Sequence, residues 1–138
     1  MALILLADDD PLIAEIVTAT LTPKGHVIGV LPDGQGLVQL VELKRPALVI
    51  LDCSMPIVGG VEALRKIRAS RLFPHVPVLM LTARTSQVDE AIAMEAGATD
   101  YLRKPFQPDQ LAAWVDCLID SAARPVSVKQ TAKMGARG

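Results

Sequence analysis

ALILLADDDP, residues 2–11, decides how this chain folds. The apolar run 2–7 has no polar break, which suits a strand buried on both faces of a parallel sheet. Asp8, Asp9 and Asp10 end the run, and Pro11 follows. Asp10-Pro11 reads as a helix N-cap and first turn. The carboxylate can accept from a free backbone amide, and proline needs no amide partner there. Leu12, Ile13, Ile16, Val17 and Leu21 then recur at helical spacing, and Gly25 stops the helix. The decisive unit is thus strand, acidic turn, helix.

The same unit repeats along the chain. Strand-like runs fall at 26–31, 47–51, 76–81 and, more weakly, 99–103. Helical stripes lie between and after them: Val61, Leu64 and Ile67; Val88, Ala91, Ile92 and Ala96; Leu111, Trp114, Val115, Leu118 and Ile119. Asp33-Gly34 opens the second helix, Gly97 caps the fourth, and Pro108-Asp109 opens the last. Five strand–helix units predict an α/β fold, a doubly wound (βα)5 with a five-stranded parallel sheet. Right-handed crossovers place helices on both of its faces.

At 138 residues the chain is sized for one domain. Hydrophobic residues make up 51% but aromatics only 3%, so Leu, Val, Ile and Ala must build the core. No run approaches the roughly 18 apolar residues of a membrane span. The apolar start lacks a basic leader and runs straight into aspartates, unlike a secretory signal. Cys53 and Cys117 show neither metal-ligand spacing nor a disulfide framework, and the cytoplasm is the expected compartment. A net charge of −1 argues against bulk nucleic-acid binding. Arg124, Lys129, Lys133 and Arg137 are the charged residues of 124–138, which leaves 10 basic and 15 acidic residues before them. Residues 1–122 are read as the domain and 123–138 as a flexible basic tail or truncated linker.

Four strand-like runs end in polar residues: Asp8-Asp9, Asp52, Thr82 and Lys104. In parallel strands these ends share one edge, where such sheets bind ligands. In the order 2-1-3-4-5, strands one and three are neighbours. Three clustered carboxylates repel one another unless a cation compensates. Few hard oxygen ligands with open positions favour Mg²⁺ or Mn²⁺ over zinc, and neither His26 nor His75 ends a strand. A carboxylate can take a phosphoryl group as an acyl phosphate, with a metal and an ammonium neutralising the transferred oxygens. Taken singly, Asp10 is a cap, Thr82 a turn residue and Lys104 a surface lysine; their joint placement at strand ends carries the functional reading. Pro105 fixes the turn after Lys104, with a cis bond open to it.

The chain resembles the receiver domain of bacterial two-component response regulators, chemotaxis-regulator-like, over about residues 2–122. The likeness rests on Ile4-Leu5-Leu6-Ala7-Asp8-Asp9-Asp10-Pro11, Leu51-Asp52-Cys53-Ser54-Met55-Pro56 with Gly60, Leu81-Thr82-Ala83, and the stretch from Gly97 to Phe106 containing Tyr101 and Lys104-Pro105. It implies a flavodoxin-like fold and a role for each residue. Asp52 is the implied phosphoacceptor. Asp9 and Asp52 are implied Mg²⁺ (or Mn²⁺) ligands, with Asp8 acting largely through water and Ser54 offering its backbone carbonyl. Thr82 and Lys104 would contact the phosphoryl group, and Ala83 would leave it room. Tyr101 would be the conformational switch, and Ser54 and Arg84 would set the dephosphorylation rate.

The resemblance also implies partners. A sensor histidine kinase or histidine phosphotransfer protein would donate phosphate. The face of helix four, strand five and helix five would then act on a downstream protein or output domain, or form a homodimer. Catalysis would be limited to self-phosphorylation from small donors and self-dephosphorylation. No direct nucleic-acid or membrane contact is expected of the domain. Two rivals fit less well. An aspartyl-nucleophile phosphatase of the haloacid-dehalogenase kind wants a second Asp two residues after the nucleophile, where Ser54 stands. A nucleotide-binding module wants a glycine-rich loop after strand one, where Asp8-Asp9-Asp10 would repel pyrophosphate. A receiver cut from a larger transcriptional or enzymatic regulator remains an alternative to a stand-alone protein.

Overall fold

A computed structural model describes residues 2–83 and 87–123. Arg84 and residues 124–138, on which sequence expectations fall, lie outside the described residues. The elements run β1 (Leu3–Ala7), α1 (Pro11–Leu21), β2 (Val27–Leu31), α2 (Leu37–Lys44), β3 (Leu48–Asp52), α3 (Gly60–Arg68), β4 (Val78–Ala83), α4 (Gln87–Ala96), β5 (Asp100–Lys104) and α5 (Pro108–Ala123). All strand pairs are parallel, in the order β2-β1-β3-β4-β5. The alternating fold and the strand order agree with expectation.

Period-two alternation splits the core between the two faces of the sheet. Leu5, Ala7, Val49, Leu51, Val78 and Met80 pack toward α2, α3 and α4, where Val41, Leu64, Ile67 and Ala93 are buried. Ile4, Leu6, Leu48, Ile50, Leu79 and Leu81 pack toward α1 and α5, where Val17, Leu21, Leu111 and Val115 are buried. β3 is buried at every position, as its unbroken apolar run required.

Local signals hold at several junctions. Asp10 caps α1, its Oδ1 accepting from the Leu12 amide at 2.9 Å. A short 3-10 turn, Thr22–Lys24, follows α1 before Gly25 stops the chain in the left-handed region at φ 91°. Asp33 differs: its Oδ1 accepts from the Gln35 amide in a turn, and α2 starts later, behind Gly36. The strands also begin one or two residues later than the apolar runs and extend to take in Asp52, Thr82 and Lys104. Backbone pairing with neighbours, not apolarity, sets these ends.

One helical stripe is misread from sequence. On α4, Val88 is 67% exposed and Ile92 39%, while Glu90 and Ala93 are buried. The helix is rotated away from its apolar stripe because Glu90 pairs with Arg103 of β5.

Candidate functional site

The site lies at the C-terminal edge of the sheet. Asp8 follows β1, and its amide donates to Leu31 O of β2 at 3.0 Å. Asp52 ends β3, with Leu81 of β4 as its cross-strand partner. Thr82 and Ala83 end β4, beside Arg103 and Lys104 on β5. The loop after Asp52 returns close to β3. A Cβ on Gly60 would stand 2.0 Å from Asp52 O, so only glycine lets α3 begin there.

Side-chain distances make these ends one site. Lys104 Nζ lies 3.1 Å from Asp52 Oδ1 and 3.2 Å from Asp8 Oδ2, donating to both. Oxygens of Asp8, Asp9 and Asp52 lie within 4.8 Å of one another, the one such acidic group among the described residues. Asp8 and Asp52 are buried and Asp9 is exposed. The Lys104–Pro105 peptide is cis.

This donor set fits a small hard cation. Mg–O bonds near 2.1 Å put opposite ligands about 4.2 Å apart, so a slight closure of the carboxylates suffices. The exposed Asp9 leaves the set open to water on one side.

Electrostatics favour a cation too. Burial pushes the Asp52 carboxyl above its ordinary pKa and the Asp8 charge adds to this, while bonds from Lys104 and the Ser54 amide offset part. Burial alone would pull the Lys104 ammonium down. Its contacts with Asp52 and Asp8 outweigh that and leave its pKa raised. The Cys53 thiol is pushed up by burial and by the charges of Asp89 and Asp52, which keeps it a neutral, half-buried side chain rather than a nucleophile.

Thr82 is 1% exposed, and its hydroxyl has no partner among the described residues. Leaving such a group unpaired costs about 1–3 kcal/mol. Tyr101 is half-buried against the α2–α4 side of the core. The Arg103 guanidinium, with a smaller contribution from the Tyr101 hydroxyl, holds the Glu90 carboxyl below its ordinary pKa, although burial would push it up. Ser54 is exposed one residue beyond Cys53. The structure therefore brings Asp8, Asp9, Asp52, Thr82 and Lys104 to one edge, with Ser54 and Ala83 flanking them in sequence.

Glu90 and Arg103 are the residues that sequence reading missed. The available signal was an acid, Glu90, followed by the small and apolar Ala91, Ile92 and Ala93 in a helix, together with a cation on an edge strand. Neither has meaning until α4 is laid on β5.

The sequence matches the family described as response regulator receiver domain over residues 4–116. It is 42% identical over 112 residues to the DNA-binding response regulator MtrA of Mycolicibacterium smegmatis, covering 81% of this chain and 48% of that protein. Against the alkaline phosphatase synthesis transcriptional regulatory protein PhoP of Bacillus subtilis it is 32% identical over 116 residues, covering 84% of this chain and 48% of that protein. The chain thus spans about half the length of the curated relatives it matches.

Two solved structures are instead matched over nearly their whole length. A response regulator from Chloroflexus aurantiacus superposes with a TM-score of 0.82 at 30% identity, covering 86% of this chain and 98% of that one. The receiver domain of a Pseudomonas aeruginosa sensor histidine kinase, solved with magnesium coordinated in its active site cleft, gives 0.80 at 33% identity, covering 87% and 98%. Proteins of this family are two-component signalling components rather than classical enzymes, and aspartate phosphorylation and Mg²⁺ binding are typical of them. A family match across most of the chain, the shared sheet and the acid crevice at its edge agree: this chain belongs to the response regulator receiver domain family.

Proposed function

We propose that the chain is a phosphorylation-dependent switch that accepts a phosphoryl group on Asp52. The observation carrying this reading is Lys104 bridging Asp52 and Asp8 at 3.1 and 3.2 Å, at the same sheet edge as the buried Thr82, whose hydroxyl has no partner among the described residues. In the transfer, an Asp52 oxygen forms a bond to phosphorus as the nitrogen–phosphorus bond of a donor phosphohistidine breaks. The bonding pair returns to the imidazole. Asp8, Asp9, Asp52 and the Ser54 carbonyl would hold Mg²⁺, or Mn²⁺ in its place, and the bound cation would neutralise charge on the transferred oxygens.

Lys104 then exchanges a carboxylate oxygen for a phosphoryl oxygen, and Thr82 donates its hydroxyl to another. Ala83 is small, which suits a neighbouring phosphoryl group. Tyr101 moves as Thr82 moves, and the face of α4, β5 and α5 changes for its partner. Ser54 and Arg84, each two residues beyond a site residue in sequence, set the lifetime of the phosphoryl group.

The donor is a sensor histidine kinase or histidine phosphotransfer protein, and the compartment is the cytoplasm. The output is a downstream protein or a domain continuous with this one, with homodimerisation through the same face as a second use. Residues 1–122 act as the receiver, and 123–138 as a basic tail or linker leading onward. A DNA-binding relative of about twice the length supports the reading as half of a transcriptional regulator. Among the described residues no helix is long and apolar enough to cross a membrane.

Acetyl phosphate with Mg²⁺ tests the assignment. The chain should gain one acid-stable, hydroxylamine-labile phosphoryl group, and Asp52→Asn should abolish it. Persistent stoichiometric labelling of Asp52→Asn would refute Asp52 as acceptor. In the same assay, Arg84→Ala should change the decay of the label once donor is removed.

A further inference from the structure

Glu90 is 6% exposed in the middle of α4, while Val88 and Ile92 of the same helix face outward. Turning the apolar stripe inward would bury more hydrocarbon. The actual rotation therefore needs a stronger contact, and a buried carboxylate needs a partner. Arg103 supplies it: Nε donates to one carboxylate oxygen of Glu90, and Nη2 donates to the other at 2.9 Å. Tyr101 lies two residues before Arg103 on β5, on the strand face that packs toward α2–α4, which sets its ring beside the same pair.

Strand alternation places these groups on one side of the sheet. Met80 lies opposite Tyr101 and Thr82 opposite Arg103, and Met80 and Tyr101 both pack on the α2–α4 face. Thr82 and Arg103, two residues further along their strands, share that face. A contiguous row thus runs from the site, through Thr82, across β5 at Arg103 and Tyr101, to Glu90 on α4.

We propose that Glu90 is a positioning residue for the switch: paired with Arg103, it tethers the Tyr101 hydroxyl and opposes the ring movement that follows phosphoryl capture. This deepens the reading of Asp52 as phosphoacceptor and rests on it. The tether sets how much of the binding energy of a phosphoryl group goes into moving Tyr101. Weakening it should make the captured state easier to reach. The exposed stripe of Val88 and Ile92 rides on the same helix, so its presentation to a partner depends on the same contact.

The test uses beryllofluoride with Mg²⁺ as the phosphoryl probe, titrated while the amide NMR shifts of Thr82 and Gly60 are followed. Glu90→Gln and Arg103→Leu should each lower the half-saturating beryllofluoride concentration by roughly fivefold. In a Tyr101→Phe background, which lacks the tethered hydroxyl, Glu90→Gln should have no further effect. A merely structural role would lower the melting temperature equally in both backgrounds and leave the half-saturation unmoved, and that result overturns the proposal. So does an equal shift in both backgrounds, or weaker binding in Glu90→Gln. If the unaltered chain itself neither binds beryllofluoride nor takes phosphate on Asp52, the parent reading fails, and this one with it.

Discussion

Two half-buried cations stand at opposite edges of the sheet. Lys104 lies at the C-terminal edge between Asp8 and Asp52. Arg68, at the end of α3, lies at the N-terminal edge. It donates from Nε to Gly97 O at 2.8 Å, from Nη1 to Pro74 O and Val76 O at 2.8 and 2.6 Å, and from Nη2 to Thr99 Oγ1 at 3.5 Å. Burial pulls the Arg68 pKa down, whereas the carboxylates around Lys104 leave that pKa raised. The Arg68 clasp is satisfied by fixed carbonyls and joins α3, the lead into β4 and the α4–β5 turn. Gly97 belongs to it: at φ 111° it carries no side chain, and a Cβ there would stand 2.8 Å from Arg68 Cγ. The C-terminal edge instead holds surplus acid around Lys104, and the Thr82 hydroxyl at that edge has no partner among the described residues. A buried polar group that is fully partnered holds a fold together, whereas one left unsatisfied costs stability and calls for another explanation.

The sharpest way to break this contrast is Arg68→Leu. It leaves three carbonyls without their donor and should cost about 3 kcal/mol in urea unfolding at pH 7. Beryllofluoride binding by the folded fraction should stay unchanged. A loss below 1 kcal/mol would show that the clasp is not structural.

Asp8→Asn should act on the other edge alone. Mg²⁺ affinity should fall about tenfold by titration. Stability in metal-free buffer should hold within about 1 kcal/mol, because the amide oxygen still accepts from the Asp10 amide, which now donates to Asp8 Oδ1 at 2.9 Å. Unfolding of this variant would erase the distinction between the two edges.

The smallest effect concerns pH. The folded Asp52 pKa lies above its ordinary 3.8, so the folded chain binds the proton more tightly than the unfolded chain. Stability is therefore lost as pH rises from about 3.8 through the folded value. With metal removed by EDTA, Asp52→Asn should melt slightly higher than the unaltered chain at pH 7, and the gap should close below pH 3.8. A lower melting point at pH 7 would show that Asp52 stabilises the fold, contrary to a ligand-reserved site.

Much of this was legible in residue order. The run 2–7 and its acidic end predicted β1 and the Asp10 cap, and both stand. The polar ends of four strands pointed to a single crevice; the 4.8 Å acidic group and the Lys104 bridges bring Asp8, Asp9, Asp52 and Lys104 together, and Thr82 ends β4 at the same edge. These readings worked because strand burial and capping depend on neighbours in sequence, and because parallel strands necessarily align their ends. The start of α2 was less legible. Asp33 can serve a turn as well as a helix cap, and the choice depended on Gly34, whose amide donates to Val58 O at 3.1 Å. The inward face of α4 was not legible at all.

What the sequence determined by itself, then, is the sheet, its buried strands and the chemistry gathered at its C-terminal edge. Tertiary structure alone decided the rotation of α4, the burial of Glu90 and the satisfaction of Arg68. The physical reason is range. An apolar run or a cap is decided within a few residues. Whether a charged side chain goes inward depends on a partner from another element: Arg103 lies 13 residues from Glu90, and Gly97 lies 29 from Arg68. Only the folded chain brings such partners within bonding distance.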